Sequence, residues 1–132
     1  DVFMAGENNS VLVFDTSFNH IDYVELLRKN NCDVKVLIKS TDREELYRSK
    51  AQIFIFEDAL IPLPGIQIAD TVRSWGGTPK YIHIVCKDPN QPDLEKAKAA
   101  GTIDSYSARD SESFKSCLEG ILKWKASQTQ QS

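Results

Sequence analysis

Several stretches of this 132-residue sequence set an ionisable or reactive side chain just beyond an apolar run. Asp15 and Thr16 follow Val11–Phe14, and Glu57 and Asp58 follow Ile53–Phe56. Cys86 and Lys87 close the run that begins at Tyr81, and Tyr106 to Arg109 end a weaker run that begins at Ile103. Carboxylates are the donors that hard divalent cations take. An arginine fork pairs with carboxylates, and a thiol is a weak hydrogen-bonding group. No Ser-His-Asp order, HExxH, P-loop or GxGxxG is present, so the usual hydrolase, metalloprotease and nucleotide-binding signatures are missing. Cys32, Cys86 and Cys117 are widely spaced, with no CxxC pair or Cys/His cluster. They argue against a disulfide framework and a structural zinc, and for reduced thiols in the cytoplasm.

The elements that must position these residues are legible from the patterning. Val11–Phe14 is a short apolar run of the kind buried on both faces of a sheet, Ile53–Phe56 is the clearest strand, Val34–Ile38 and Tyr81–Cys86 are further strands, and Ile103–Ser107 is a weaker fifth. Helices are expected between them. The first covers Phe18–Asn30, with Phe18, Ile21, Val24 and Leu27 recurring on its buried side beside Tyr23 and Leu26. A second is opened by a capping box of Thr41 and Glu44. A third runs through Ile68, Val72 and Trp75 to the Gly76-Gly77 stop, and a fourth from Pro92 to Gly101. The last, Ser111 to Ser127, carries Phe114, Cys117, Leu118, Ile121 and Leu122 on one face. Five strands alternating with helices predict an α/β domain, a doubly wound five-stranded parallel sheet with helices on both faces. Ligands of such folds bind at the carboxyl ends of the strands, where the chemistry-bearing residues lie.

The expected organisation is a linker over residues 1–10, one domain over 11–126 and a polar tail over 127–132. Beginning at Asp1 rather than Met, the sequence reads as part of a longer polypeptide. A hydrophobic content of 41% with 27% charged residues suits a folded domain. The net charge of -3 and scattered basic residues argue against a nucleic-acid surface. No apolar run approaches the about 18 residues of a membrane span. His83, inside a strand, reads as structural. His20 reads as a solvent-facing helix residue, although its position near the first helix start brings it toward Asp15.

This order of elements and strand-end residues resembles the receiver domain of two-component signalling proteins, a flavodoxin-like fold, over about Val11 to Lys125. Pro62 and Gly65 after the third strand and Ala100-Gly101 before the fifth add to the likeness. The resemblance implies two acids after the first strand, an aspartate phosphoacceptor after the third, Ser or Thr after the fourth, and Lys after the fifth. There the acids hold a cation that neutralises a transferring phosphoryl group.

Against that pattern Asp15 matches one acid, while Thr16 stands in place of the other, so at most a weakly held Mg²⁺ is implied, on Asp15. The strand period sets Glu57 at the acceptor position and the spacing to Pro62 sets Asp58 there; the strand period is favoured. Cys86 replaces the hydroxyl residue, and the stronger reading of it is a small buried side chain. Counting from Ala100-Gly101 puts Ala108 at the Lys position. One inserted residue puts Arg109 there, able to pair with Glu57, and makes Tyr106 the switch-type aromatic.

The expectation is a degenerate pseudo-receiver with weak or absent phosphoacceptance, of the kind found in hybrid histidine kinases. It is not itself an enzyme, and it acts as a protein-interaction module in a phosphorelay. Two alternatives stand beside it: an atypical working receiver phosphorylated on Asp58, and a flavodoxin-like cofactor-binding domain. The implied partner is a histidine kinase, phosphotransfer or output domain, met through the last two units, about Pro92 to Trp124, as is common in the family. Homodimerisation is a further expectation. Nucleic-acid and membrane contacts are not expected, and the domain is expected in the cytoplasm, including as the cytosolic part of a membrane-anchored sensor.

Overall fold

The computed structural model describes residues 10–131, with side chains as far as Gln128. Five parallel strands form one sheet in the order β2-β1-β3-β4-β5: β1 Ser10–Phe14, β2 Asp33–Leu37, β3 Ile53–Glu57, β4 Tyr81–Cys86 and β5 Ser105–Ala108. The helices are α1 Ile21–Lys29, α2 Arg43–Arg48, α3 Gly65–Ser74, α4 Pro92–Ala99 and α5 Ser111–Gln131, with a 3₁₀ turn at Ser40–Asp42. The doubly wound parallel architecture is the expected one. Strand β3, IFIFE, is central, and every residue in it is buried. A strand covered on both faces has no solvent side to leave polar.

The core is split by the sheet. On one face Phe14, Phe54, Phe56, Ile82 and Ile84 pack against Leu46 of α2, Ile68 and Val72 of α3 and Leu94 of α4. On the other, Val11, Val13, Ile53, Ile55 and Val85 pack against Tyr23, Val24 and Leu27 of α1 and Phe114, Leu118 and Ile121 of α5. Each large apolar side chain sequestered this way contributes about 1.5–3 kcal/mol before entropy is subtracted. Alternation along β1 and β3 sends Phe14 and Phe56 to the first face. The next residues in line, Asp15 and Glu57, therefore fall on the α1/α5 side.

Local departures from the sequence expectation have local causes. Helix α1 starts at Ile21, and Phe18 stands outside it with φ of 64°. Phe18 and Ile21 are 67% and 63% exposed, so the buried stripe is Tyr23, Val24 and Leu27. A spacing of three drifts around a helix of 3.6 residues per turn, so Ile21 and Leu27 cannot share one face. The Thr41–Glu44 capping box does not form: Asp42 accepts the Lys39 amide, and Glu44 pairs with Arg48. Gly76, Gly77 and Gly101 take positive φ at their helix ends, as expected. Ser10 belongs to β1, where it pairs with Asp33, and the rest of the expected linker lies outside the described residues. Helix α5 continues to Gln131, through most of the expected 127–132 tail. Among the described residues no helix is long and apolar enough to cross a membrane.

Candidate functional site

The strand order reverses between β1 and β3, and the residues that follow these strands meet at their carboxyl edge. Asp15 is fully buried, and Glu57 is nearly so. From beyond β5, Arg109 donates through Nε to Asp15 Oδ2 at 3.2 Å and through Nη2 to Glu57 Oε2 at 3.3 Å. The guanidinium thus lies between two carboxylates that would otherwise repel each other in a poorly solvated place.

The remaining oxygen capacity of both acids is largely spent. Asp15 Oδ1 accepts from the Ser17 amide at 3.0 Å and the Ser17 hydroxyl at 2.6 Å, and Oδ2 also accepts from the Tyr23 phenol at 2.7 Å. With Arg109 this makes one donor for each of the about four lone-pair positions of a carboxylate. Thr16 gives both its amide, at 2.5 Å, and its hydroxyl to Glu57 Oε1. Burial pushes the Asp15 pKa up, but the Ser17 and Tyr23 hydrogen bonds and the Arg109 charge outweigh it and hold the carboxyl below its ordinary value. Burial, followed by the charge of Asp15, drives the Tyr23 phenol far up, so it stays a donor.

These donors leave no room for a divalent cation. A metal on Asp15 would have to displace Arg109 or a proton donor, and Thr16, already committed to Glu57, offers no carboxylate. Among the described residues no group of three or more His, Cys, Asp or Glu side chains is gathered as a ligand set. The residues present do not fit Mg²⁺.

Of the two acids after β3, Glu57 faces Asp15, whereas Asp58 is half-buried and accepts from Gln91 Nε2 at 3.3 Å. Gly65 explains part of this arrangement: a Cβ there would stand 2.2 Å from the Glu57 carbonyl oxygen, so α3 can start this close to β3 only with glycine. Of the two residues weighed for the position after β5, Ala108 ends the strand opposite Cys86, and Arg109 reaches the acids. Cys86 is buried and donates to the Ser107 carbonyl at 3.3 Å. Burial and then the Asp58 charge push its thiol up to about 11, so it is no thiolate. Tyr106 turns away from the carboxylates and donates to Glu95 Oε1 at 2.5 Å. That hydrogen bond is the first cause of the rise in its pKa. His83 is buried inside β4 between Ser105 and Ser107. His20, expected to face solvent from the first helix, instead precedes α1 at its N-cap position without a side-chain capping bond, half-buried, with its Nδ1 sequestered and without a hydrogen-bond partner.

Ser17 and Tyr23 also belong to the site, although neither follows a strand directly. Ser17 stands two residues after Asp15, the spacing of a side-chain turn. Tyr23 is an inward-facing helix residue with a polar tip, which needs a partner when buried.

Among solved structures, this chain is similar to a receiver domain protein (CheY-like) from Methanospirillum hungatei JF-1, with a TM-score of 0.73 at 12% identity over 93% of this chain and 98% of that one. A signal receiver domain of an HD domain-containing protein from Pseudomonas fluorescens Pf-5 gives 0.72 at 16% identity, covering 93% of both chains. A chain in the Saccharomyces cerevisiae co-crystal structure of the histidine phosphotransfer protein Ypd1 and the receiver domain of Ssk1 gives 0.71 at 16% identity, covering 90% of both. The fold is that of receiver domains. No protein-family model and no curated protein matches the sequence. In this receiver fold the β1/β3 crevice holds an arginine bridging two acids.

Proposed function

We propose that the domain is a degenerate receiver, a protein-docking module of two-component signalling whose site is held in one state by Arg109 and accepts little or no phosphate. The observation that carries this reading is the pair of ion contacts from Arg109 to Asp15 and Glu57. A phosphoryl group transferred to a carboxylate needs cationic help that can follow the developing charge. Here the cation is a side chain already engaged by both acids, and the residue facing it after β3 is a glutamate.

A docking role is supported by the edge around the crevice. Phe18 and Ile21 on one side and Ile61 and Leu63 on the other are exposed large apolar side chains on the loops and helix start that rim the site. Phe18, Ile21 and Arg109 also line an open depression of about 420 Å³. Among the described residues the exposed large apolar side chains lie here and at Tyr47 and Trp75, not on the surface from Pro92 to Trp124. The partner proposed is a histidine kinase or phosphotransfer domain, in keeping with the Ypd1 protein that accompanies the Ssk1 receiver domain. An origin within a hybrid histidine kinase, on the cytosolic side, is part of this reading.

The test is incubation with acetyl phosphate and Mg²⁺, followed by intact-mass measurement. No stable adduct is expected. An adduct that disappears in Glu57→Gln or Asp58→Asn would overturn the reading, and loss in Asp58→Asn alone would make the domain an atypical working receiver.

A further inference from the structure

We propose that His83 is a positioning residue for Arg109: a hydrogen-bond chain of fixed direction, built on both its ring nitrogens, sets the register of β5 and so places Arg109 across Asp15 and Glu57. This rests on the reading of Arg109 as the group that holds the site.

The direction of the chain follows from counting protons. The Ser107 hydroxyl donates to the Ala108 carbonyl at 2.9 Å, so its only proton is spent. Its oxygen, 2.9 Å from His83 Nε2, must therefore accept, which puts the ring proton on Nε2. A neutral imidazole then has an accepting Nδ1, and the Ser105 hydroxyl at 2.7 Å donates to it. With the Ser105 proton also spent, the Tyr81 phenol at 2.9 Å donates to Ser105. The order is Tyr81 to Ser105 to His83 to Ser107 to the Ala108 carbonyl, and Arg109 is the next residue. His83 is fully buried and edge-on to Phe114 of α5, with ring centroids 5.3 Å apart. Burial depresses its pKa, which agrees with the neutral ring that this order needs.

Strand β5 needs such a device. It is four residues long, SYSA, and Ser107 is its one buried member. Apolar alternation, which sets register in the other strands, is nearly absent from it. The entry to β5 is held by Asp104, whose carboxylate takes the Ile82 amide at 2.8 Å and Arg73 at 2.5 Å. The exit toward Arg109 has no equivalent ion pair on the strand itself. Serines two apart meet both imidazole nitrogens in the observed register. A slip by one residue turns them to the other face, and a slip by two leaves one buried nitrogen without a partner. Either slip carries Arg109 away from the carboxylates by the length of the slip.

The experiment is NMR on the chain in solution. Imidazole ¹⁵N shifts of His83 are expected to report the Nε2–H tautomer; an Nδ1–H, charged or averaged ring overturns the proposal. The exchange rate of Arg109 Nε–H with D₂O is then compared across variants. In Ser107→Ala and His83→Leu it should rise at least tenfold while β1 and β3 amides keep wild-type protection, and Ser107→Thr, which restores the hydroxyl, should return it to wild type. A purely structural role would change all amides together or none, and unchanged Arg109 exchange in Ser107→Ala overturns positioning even if His83→Leu fails to fold. Phosphate labelling of the wild type would remove the reading of a closed site but leave the tautomer and exchange results to decide this inference. An unprotected Arg109 Nε–H in the wild type would remove both.

Discussion

Thr16 gives its backbone amide and its side-chain hydroxyl to the same oxygen of Glu57. Thr16, next in line to Asp15, is thus a donor that closes off the acid on the neighbouring strand. Thr16→Val keeps the amide contact and loses the hydroxyl. A hydrogen bond to a charged group contributes about 1.5–3 kcal/mol, and the retained amide limits the loss to the lower part of that range. Urea unfolding should show a lower midpoint at an unchanged m-value. A midpoint equal to the wild type would mean that the hydroxyl makes no such contact in solution.

Arg109 carries a larger share. Its side chain is 16% exposed, and the carboxylates it meets are almost wholly sequestered. Breaking a buried ion pair from one side strands the other charge, at about 3–5 kcal/mol. Arg109→Met, close in length and without charge, should lose stability of that order. Adding Glu57→Gln to the same chain should restore part of it, because one of the stranded charges is gone. Additive losses in the double variant would show that the two side chains are not coupled.

Much of this architecture is visible in the residue pattern, and the site is only partly so. Ile53–Phe56 is the clearest strand in the sequence, and Gly76-Gly77 and Gly101 mark helix ends that the structure confirms with positive φ. Phe18 and Ile21 look in the sequence like members of the apolar stripe of α1, but the buried stripe begins at Tyr23. At the site, Glu57 and Asp58 could not be separated by counting, since loop and strand gave different offsets. In the sheet, alternation puts Glu57 on the side of Asp15, where Arg109 meets both, while Asp58 accepts from Gln91. Counting does not choose between Ala108 and Arg109 either, because β5 lacks the apolar periodicity that would fix its end. The Ser17 contact on Asp15 follows from a spacing of two residues, whereas the Tyr23 contact depends on how α1 folds back over the strand end, which no local spacing encodes.

Glycine 65 offers a test of the close approach between β3 and α3. A methyl group there would sit 2.2 Å from the Glu57 carbonyl oxygen, a backbone atom that cannot swing aside. Gly65→Ala should therefore cost about 3 kcal/mol or more, beyond ordinary overpacking. Gly76→Ala meets nothing within 4 Å and suffers only from a φ of +67°, so about 1–2 kcal/mol is expected. Thermal melts that rank the two in the opposite order would contradict the packing at Gly65.

Converting the site toward cation binding is a direct check on why it does not fit Mg²⁺. Thr16→Asp combined with Arg109→Ala removes the resident guanidinium and adds a carboxylate to Asp15 and Glu57. Clustered acids then need a counter-ion, and a ligand that binds the folded state raises stability with its concentration. The unfolding temperature of this variant should rise with Mn²⁺ in the millimolar range, while the wild type should not respond. An equal response in both would show that Arg109 does not keep the cation out.

Stability should also fall in mildly acidic solution, and His83 is the group responsible. Burial alone lowers its pKa from an ordinary 6.5 to about 3. Between those values the unfolded chain takes up a proton that the folded chain refuses. The contribution is therefore complete above pH 6.5 and is lost as the pH falls, by about 1.4 kcal/mol for each unit. Asp15 acts lower: its folded pKa lies below 3.8, so its share is present above that value and disappears only beneath it. Urea midpoints at pH 7.5, 6.0 and 5.0 separate the two, since Asp15 is silent across that range. His83→Gln retains one donor and one acceptor but does not titrate, and its stability should be nearly flat from pH 7.5 to 5.0. A wild-type slope no steeper than that of His83→Gln would mean that the ring is not held neutral between its two serines.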